Sequence, residues 1–466
     1  MTDDRQNLIP HSDHPGRIHL VTEAQYEALA GDDTQIAALG QLQDFNGQTG
    51  RLMTRIGSEQ RPEAWFGLGK GTGGAMSMRT LAGRLPPGDW ALAAPSPWPM
   101  EDVALAFALG GYSFDRYRGA KGKAKARLVV GAARDAACRI ADACALARDM
   151  INTPASDMGP LQIETLAREI ADAALAQLTV TVGDALLSAN YPSVHAVGRA
   201  AAVDRAPRMI ELVWRGTGAT DASPLVAVIG KGVTFDTGGL DLKPSSGMRW
   251  MKKDMGGAAH ALALGQMIMQ ADLPIRLVVL VPAVENAVSG DAMRPGDVLA
   301  TRKGLSVEVG NTDAEGRLVL SDALTRAGEH MPDLTIDLAT LTGAARVALG
   351  PEVVPFYTDD DALAEAITSA AQATSDPLWR MPMWSGYDEA LDSDIADLKN
   401  DPDGWAQAGS VTAALFLRRF APSGPWVHLD IFAWHPRKLP GKPFGGEAQA
   451  VRALFSMIFQ RYGAGE

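Results

Sequence analysis

The stretch NTDAEGRLVL, residues 311–320, contains three charged side chains at alternate positions directly after a predicted strand. Asp313, Glu315 and Arg317 follow the apolar and polar alternation LSVEV. Burying an unpaired ion costs several kcal/mol or forces the group to become neutral. These three groups therefore need charged partners that another part of the chain must supply.

Two upstream segments supply candidate partners at comparable positions. In VAVIGKGVTFDTGGLDLKP, Lys231 and Asp236 leave the end of a predicted buried strand, and Lys243 follows. In MRWMKKDMGGAAH, Asp254 lies just ahead of a predicted helix start at two glycines. Four carboxylates would then share one pocket, namely Asp236, Asp254, Asp313 and Glu315. They would repel one another unless cations held them, so the sequence predicts two divalent metal ions.

The ligand types narrow the choice of metal. Carboxylate oxygens with no neighbouring Cys or His favour magnesium or manganese, although zinc also accepts carboxylates. The eight histidines contain no HExxH pair, and a lysine must lose its proton before it can bind a metal. Buried ion pairs between these lysines and aspartates are the alternative interpretation. Seven charged residues at four strand or helix ends, with glycines beside them, favour the metal site.

The segments around these residues alternate between strand and helix patterns. PLVAVIG, IRLVVLVPAV, LSVEVG, LTIDLA and WVHLDIFA are typical of strands, and GGAAHALALGQMIMQ and RLVLSDALTRAGEHM of helices between them. This order predicts a mixed α/β sheet with helices on both faces. Because ligand sites in such folds lie beyond the carboxyl ends of strands, the charged residues are in the expected place.

The length of 466 residues suggests two or three domains. We predict a smaller N-terminal α/β domain at 1–127, a connecting helix at 128–153 and a larger C-terminal domain at 154–466. The helix is indicated by the Ala-rich stretch GAARDAACRIADACALARDM and by the turn-forming NTPASDMGP that follows it.

Charge and composition argue against several classes of protein. The net charge of −12 and the pI of about 5.2 argue against broad binding to nucleic acid or to an anionic membrane surface. The basic run RYRGAKGKAKAR, residues 116–127, is predicted to be an exposed connector, with nucleic-acid contact as the alternative. No apolar run approaches the roughly 20 residues of a membrane helix.

The N-terminus and the cysteines indicate the compartment. The first residues, MTDDRQNLIPHSDHPGR, are acidic and polar where a secretory signal would be basic and then apolar. Cys138 and Cys144 are not predicted to form a disulfide, and two thiols cannot provide a disulfide framework. We therefore predict a cytoplasmic protein.

Four motifs resemble those of the leucyl aminopeptidase family, also called cytosol aminopeptidases: GKGVTFDTGGLDLKP, MKKDMGGAA, NTDAEGRLVLSDAL and DLATLTGA. The resemblance continues through LWRMPMW, SDIADLKN, AGSVTAALFLRRF and PWVHLDI, and so covers nearly all of residues 148–432. In the first domain, GLGK and GGYSFDRY resemble the family more weakly. The resemblance implies a dinuclear metallopeptidase whose catalytic domain is 154–466. It implies an aminopeptidase that releases N-terminal residues from peptides, Leu-like ones preferred, with a metal-bridged hydroxide as nucleophile.

Every position to which the family assigns a chemical role carries the family's residue. By the resemblance, one metal ion would be held by Lys231, Asp236, Asp254 and Glu315. The other would be held by Asp236, Asp313 and Glu315. Lys243 would stabilise the oxyanion that develops on the substrate carbonyl, and Arg317 would hold a bicarbonate that serves as general base. The implied cofactors are two divalent ions per subunit, Mn²⁺ or Zn²⁺ and otherwise Mg²⁺, together with that bicarbonate.

The resemblance also assigns the residues that receive the substrate's first residue. Met251, Thr340 and Gly343 would line the side-chain pocket, and the Leu341 carbonyl would accept a hydrogen bond from the substrate amine. Core packing is the alternative interpretation for Met251. Apolar and small pocket walls suit Leu or Met at the first position of the substrate.

The chain departs from the family pattern near its C-terminus. Phe432 and Ala433 stand where the family commonly has Ala-Gly, and the stretch GGEA at 445–448 replaces a usual Thr-Gly. Because this region helps to shape the pocket, the sequence leaves the side-chain preference open. The family forms hexamers, dimers of trimers, and the resemblance implies a homohexamer here.

Three other functions are compatible with parts of the sequence. The stretch GKGTGG from Gly69 has the GxGxxG spacing of a nucleotide-binding loop, but no acidic residue follows at a clear ribose distance. The first domain could bind DNA or a regulator, as it does in some relatives of the family. The carboxylates could also serve a two-metal phosphatase or nuclease, which would need additional cations for the phosphate.

Overall fold

The computed structural model describes most of the chain. The described residues are 7–57, 60–118, 125–402 and 407–463. Residues 119–124 of the basic run predicted to be an exposed connector lie outside them. Among the described residues, no helix combines the length and the hydropathy that crossing a membrane requires.

The chain divides into two compact units. The first consists of Met1–Ala145 with Pro436–Phe444, and the second of Leu146–His435 with Gly445–Glu466. The assignment of Pro436–Phe444 to the first unit has no counterpart in the division at 1–127, 128–153 and 154–466 that the sequence suggests. Those domain boundaries remain a prediction.

The first unit is built around a single α/β sheet. Its strands are β1 (Leu8–Ile9), β2 (Gly16–Val21), β3 (Leu52–Ile56), β4 (Pro62–Gly67), β5 (Gly88–Leu92) and β6 (Ala126–Val129), and its helices are α1 (Glu23–Asp32), α2 (Thr34–Leu42) and α3 (Met100–Gly110). The strand order is β1-β6-β5-β2-β4-β3. The pairing of β3 with β4 is antiparallel and the other pairings are parallel. The predicted smaller N-terminal α/β domain is confirmed.

A long helix, α4 (Arg134–Asn152), contains the boundary between the two units. It has neither Gly nor Pro and is rich in Ala, which has the highest helix propensity. A short 3₁₀ turn at Gly131–Ala133 precedes it, and Pro154 follows its end. Cys138 and Cys144 are both buried and are not joined in a disulfide.

The second unit holds the larger, mixed sheet. Its strands are β7 (Gln177–Val182), β8 (Arg208–Arg215), β9 (Leu225–Gly230), β10 (Gly232–Asp236), β11 (Arg276–Asn286), β12 (Val298–Ala300), β13 (Ser306–Glu308), β14 (Leu334–Ala339), β15 (Val354–Tyr357), β16 (Leu378–Arg380), β17 (Leu398–Lys399), β18 (Trp426–Asp430), β19 (Trp434–His435) and β20 (Gly445–Gly446). Its helices are α5 (Pro160–Ala174), α6 (Ala185–Ser188), α7 (Pro192–Gly198), α8 (Ser245–Met248), α9 (Gly256–Gln270), α10 (Glu315–Glu329), α11 (Gly343–Leu349), α12 (Asp361–Thr374), α13 (Gly409–Arg418) and α14 (Val451–Tyr462).

Nine strands form the main sheet, in the order β16-β15-β18-β14-β9-β11-β8-β7, with β10 paired to β11. The central strands β18, β14, β9 and β11 are parallel, whereas β15, β8 and β7 are antiparallel to a neighbour. All residues of β9 and β14 are buried, as expected for parallel strands covered on both faces. The mixed sheet predicted from the sequence is confirmed.

Helices α9 and α10 cover opposite faces of this sheet. A Cβ on Gly265 of α9 would lie 3.0 Å from Val279 of β11. The neighbouring Val278 and Leu280 instead belong to the core cluster that contains Leu318 of α10. Because successive residues of a strand point to opposite faces, the two helices sandwich the sheet.

The segment LSVEVG differs from its prediction as part of the main sheet. It forms the three-residue strand β13, which pairs with β12 and β17 in a separate small sheet. Alternation of apolar and polar residues predicts a strand but does not say which strands it pairs with.

Helix α9 begins in close contact with the ends of two strands. A Cβ on Gly257 would lie 2.1 Å from the Leu338 carbonyl oxygen and 2.6 Å from the Lys231 nitrogen. We expect Gly257→Ala to lower the free energy of unfolding by at least about 1–3 kcal/mol, because the added methyl group overpacks this contact. Thermal or denaturant unfolding of metal-free protein measures the change.

Gly328 of α10 provides the matched control, because a Cβ there would meet Pro422 at an ordinary 3.6 Å. Gly328→Ala should be neutral or stabilise the protein by up to about 1 kcal/mol through helix propensity. An unfolding midpoint of Gly257→Ala equal to that of the wild type would contradict the close approach.

Candidate metal centre

The carboxyl ends of the central parallel strands meet at one edge of the main sheet. In the strand register, Leu338 of β14 is opposite Gly230 of β9, and Ala339 is opposite Asp430 of β18. Lys231, which follows β9, therefore emerges beside Thr340, which follows β14. The Lys231 Nζ lies 3.3 Å from the Thr340 carbonyl oxygen.

Asp236 ends β10, and its carboxylate is held by fixed donors. Its Oδ1 accepts hydrogen bonds from Asn286 Nδ2 at 2.9 Å and from the Gly238 nitrogen at 2.8 Å. Its Oδ2 faces Lys243 Nζ at 2.8 Å. The side chain is 2% exposed. One oxygen is thus oriented by the protein, and the other points at the cluster of charges.

Asp313 and Glu315 arrive from the loop between β13 and α10. Glu315 is the first residue of α10, where the positive end of the helix favours a carboxylate. The adjoining loop is fixed by Asn400, whose Oδ1 accepts hydrogen bonds from the backbone of Gly310 and Asn311. Asp313 also ion-pairs with Lys243.

One cluster contains all five residues predicted as metal ligands. Asp236, Asp313 and Glu315 each offer a carboxylate oxygen, and these oxygens lie within 4.8 Å of one another. Lys231 Nζ joins Asp254 to them, because it lies 2.6 Å from Asp254 Oδ2 and 2.8 Å from Glu315 Oε1. The fold therefore brings these residues together, while their roles as ligands remain a prediction.

The pKa values follow from this packing. Burial lowers the pKa of Lys231, but Asp254 and Glu315 outweigh burial and the net shift is upward. Burial, reinforced by Asp236, raises the pKa of Asp313 to about 6 and that of Glu315 well above its ordinary value. Burial and the crowding of carboxylates therefore favour protonation of Asp313 and Glu315 in the metal-free protein.

The donor set fits divalent cations. Glu315 is fully buried, and among the described residues neither of its carboxylate oxygens accepts a hydrogen bond. Its Oε1 has only the ion pair with Lys231, whose geometry is not that of a hydrogen bond. Buried carboxylate oxygens without donors are costly unless a cation binds them, and oxygen ligands suit Mg²⁺, Mn²⁺ and, less selectively, Zn²⁺.

Arg317 lies two residues further along α10 and is 5% exposed. Its Nη1 donates a hydrogen bond to the Asn400 carbonyl oxygen, whereas its Nε has no acceptor among the described residues. A buried guanidinium with a free donor beside a carboxylate cluster can bind a planar oxyanion.

The residues predicted for the substrate pocket lie on turns next to Asp254 and Asp430. Thr340 Oγ1 donates to Asp254 Oδ1 at 2.8 Å, and Met251 begins the 3₁₀ turn that ends just before Asp254. The Leu341 nitrogen donates to Asp430 Oδ1 at 2.9 Å, and Gly343 begins α11. The structure thus places Thr340 in contact with the cluster and the other pocket residues on neighbouring turns.

Several residues at this edge of the sheet were not predicted from the sequence. Asn286, which orients Asp236, could have been noticed as a polar residue ending the apolar strand β11. Lys253 and Arg346 are two further cationic residues near Asp254, and both lie close to the Phe432 ring. Lys253 is 4% exposed, and burial lowers its pKa to about 8. The doubled lysine in MKKD was the only sequence signal for it.

A family model, a sequence relative and a solved structure all show similarity between this chain and cytosol aminopeptidases. A model of the cytosol aminopeptidase family, catalytic domain, matches residues 145–455. A probable cytosol aminopeptidase from Syntrophotalea carbinolica is 43% identical over 333 residues, which span 71% of this chain and 66% of that relative.

Solved structures extend the likeness over almost the whole chain. The crystal structure of cytosol aminopeptidase from Coxiella burnetii has a TM-score of 0.92 and 39% identity, covering 98% of this chain and 100% of that one. The bottromycin maturation enzyme BotP in complex with Mn has a TM-score of 0.86 and 31% identity, covering 96% and 99%.

Proposed function

This chain belongs to the cytosol aminopeptidase family and is therefore a hydrolase of the aminopeptidase class, and we propose that it removes N-terminal residues from peptides with two divalent metal ions. The single observation that carries the proposal is the buried cluster of Asp236, Asp313 and Glu315, linked to Asp254 through Lys231. Among the described residues, neither carboxylate oxygen of Glu315 accepts a hydrogen bond, and such buried oxygens suit cations.

The five ligands would be shared between the two ions. Lys231, Asp236, Asp254 and Glu315 would hold one, and Asp236, Asp313 and Glu315 the other. When bound, the ions supply Lewis acidity toward the scissile carbonyl and lower the pKa of coordinated water. Manganese or zinc is proposed as the metal, with magnesium as the alternative; the structure of the relative BotP in complex with Mn supports manganese.

Three residues of the chain would then act on the substrate. Lys243, whose side chain is only 14% exposed, would donate to the carbonyl oxygen as negative charge develops there. Arg317 would hold a bicarbonate that removes a proton during attack. The Leu341 carbonyl would accept a hydrogen bond from the free amine of the peptide, which restricts cleavage to the N-terminal residue.

The side-chain pocket would be lined by Met251, Thr340 and Gly343. Their apolar and small surfaces suit a Leu-like first residue. We also propose that the protein acts in the cytoplasm as a homohexamer, in keeping with its family. The acidic net charge of −12 argues against nucleic acid as a general partner.

Metal restoration tests the proposal directly. Purified protein stripped with a chelator should lose hydrolysis of Leu-p-nitroanilide, and added Mn²⁺ or Zn²⁺ should restore it, because the proposed reaction needs metal ions at the carboxylate cluster. N-acetyl-Leu-p-nitroanilide is the matched substrate control and should resist cleavage, since its blocked amine cannot complete the site. Cleavage of p-nitrophenyl phosphate without cleavage of Leu-p-nitroanilide would instead support a two-metal phosphatase and overturn the proposal.

A further inference from the structure

Phe432, at the departure from the family pattern, lies close to two cationic side chains. The Arg346 guanidinium carbon is 4.5 Å from the centroid of its ring, and Lys253 Nζ is 5.4 Å from it. Arg346 is on α11, and Lys253 immediately precedes Asp254. Both cations therefore stand at the edge of the proposed metal centre without belonging to the ligand set.

Neither cation has a close anionic partner within the described part of the chain. Lys253 is 4% exposed, and its nearest carboxylate oxygen, Asp254 Oδ1, is 4.0 Å away and already accepts a hydrogen bond from Thr340. No carboxylate oxygen of the described residues lies within 4.0 Å of the Arg346 guanidinium, and no hydrogen bond from its side chain is formed there. Arg346 is half-buried and its guanidinium has no carboxylate of the described residues within reach, so a bound anion would complement its charge.

The carboxylate of Asp430 is near Arg346 but does not serve as the anionic partner of its guanidinium. Asp430 lines the same cleft as Arg346 and Phe432. Its Oδ1 accepts hydrogen bonds from the nitrogens of Leu341 and Thr342, and its Oδ2 accepts one from Thr342 Oγ1. Asp430 is therefore occupied by the turn before α11, and the guanidinium fork remains available.

Arg346 also borders the pocket proposed for the first side chain of the substrate. A Cβ on Gly343 would lie 3.3 Å from Arg346 Nη2, which places the guanidinium directly over that pocket residue. Gly343 and Arg346 are three positions apart on α11 and so share one face of the helix. The guanidinium lies over the Phe432 ring, a position that leaves its N–H groups able to donate to an anion.

We propose that Arg346, with Lys253 adding positive potential near the same Phe432 ring, binds the carboxylate of an acidic first residue, so that the enzyme accepts N-terminal Glu as well as Leu-like residues. This inference rests on the proposed aminopeptidase function. The fork of an arginine suits a carboxylate, and a charged hydrogen bond in a partly buried pocket discriminates strongly against a neutral analogue.

Glu-p-nitroanilide and Gln-p-nitroanilide make the sharpest test, because they have nearly the same shape and differ in charge. We expect the metal-loaded wild type to favour Glu over Gln by about 10- to 100-fold in kcat/KM. In Arg346→Gln this ratio should fall toward one, and in Lys253→Met it should fall by a smaller factor. The ratio compares two substrates within one enzyme, so a change in metal content or in folded fraction does not alter it.

Arg461 provides the control, since its guanidinium carbon also lies over an aromatic ring, 5.4 Å from the centroid of Tyr462. Arg461→Gln should keep the wild-type ratio of Glu to Gln. A wild type that cleaves Leu-p-nitroanilide but favours Gln over Glu, or an Arg346→Gln variant with an unchanged ratio, would overturn this inference and leave the aminopeptidase proposal intact. Failure to cleave any of these substrates under any metal would overturn both.

Discussion

Replacement of Glu315 by alanine is expected to abolish peptide hydrolysis and to deplete the protein of both metal ions. Glu315 is fully buried, and its carboxylate lies within 4.8 Å of those of Asp236 and Asp313. In the proposed site it is a ligand of both ions. Losing an outer-sphere partner already costs about 10- to 100-fold in metal affinity or activity. Losing a shared ligand should exceed that range.

The variant should still fold, because Lys231 keeps its 2.6 Å ion pair with Asp254. Metal content after dialysis and kcat/KM on Leu-p-nitroanilide measure the effect, and Glu315→Gln separates loss of charge from loss of volume. Glu329 at the other end of α10, which pairs with Arg302 and Arg326, is the matched control, and Glu329→Ala should retain both metal ions. Near-normal turnover of Glu315→Ala with full metal content would refute the shared-ligand role.

Replacement of Lys243 by alanine is expected to lower kcat by about 10²- to 10³-fold, the range typical of removing one oxyanion donor. Burial lowers the pKa of Lys243, but Asp236 and Glu315 outweigh burial, so in the metal-free protein the net shift is upward and the amine is protonated. In the metal-free protein it ion-pairs with Asp236 and Asp313. The variant should therefore keep both metal ions, because Lys243 is not a proposed metal ligand and instead competes with the metal ions for these carboxylates.

The measurement pairs kcat with metal content and metal affinity in the same preparation. Lys243→Met keeps much of the side-chain volume without the charge and should behave like the alanine variant. Lys303, an exposed lysine whose Nζ donates to the Arg419 carbonyl oxygen, is the control at the surface. A parallel loss of metal and rate in Lys243→Ala would assign this residue to the metal site and contradict the oxyanion role.

Much of this architecture could be predicted from local patterns in the chain. The segments that form β9, β11, β14 and β18 are nearly continuously apolar because these strands are buried on both faces. Such a run can be recognised in the sequence even when the neighbouring strands are unknown. Gly257, in the first turn of α9, is required where the helix backbone approaches the ends of two strands. Local chemistry thus predicted the α/β class and the positions of the charged residues.

Pairing between distant segments could not be predicted in the same way. The alternation in LSVEVG indicates a strand, yet only the folded chain shows that β13 pairs with β12 and β17 instead of with strands of the main sheet. Similarly, Pro436–Phe444 is assigned to the first unit although it follows the last strand of the main sheet. These choices depend on contacts between residues far apart in sequence, which periodicity does not encode.

For the charged residues too, the sequence predicts the residue types, whereas the tertiary structure decides their partners. The sequence by itself determined which residue types stand at the strand ends, and thereby the carboxylate chemistry and the family. Only the tertiary structure decided that Asp254 pairs with the distant Lys231 at 2.6 Å while its neighbour Lys253 stays 4.0 Å away beside Phe432. The physical reason is that the strand register and the helix contacts of the whole unit set the direction of the backbone at each lysine. That direction determines which lysine side chain can come close enough to pair with the carboxylate.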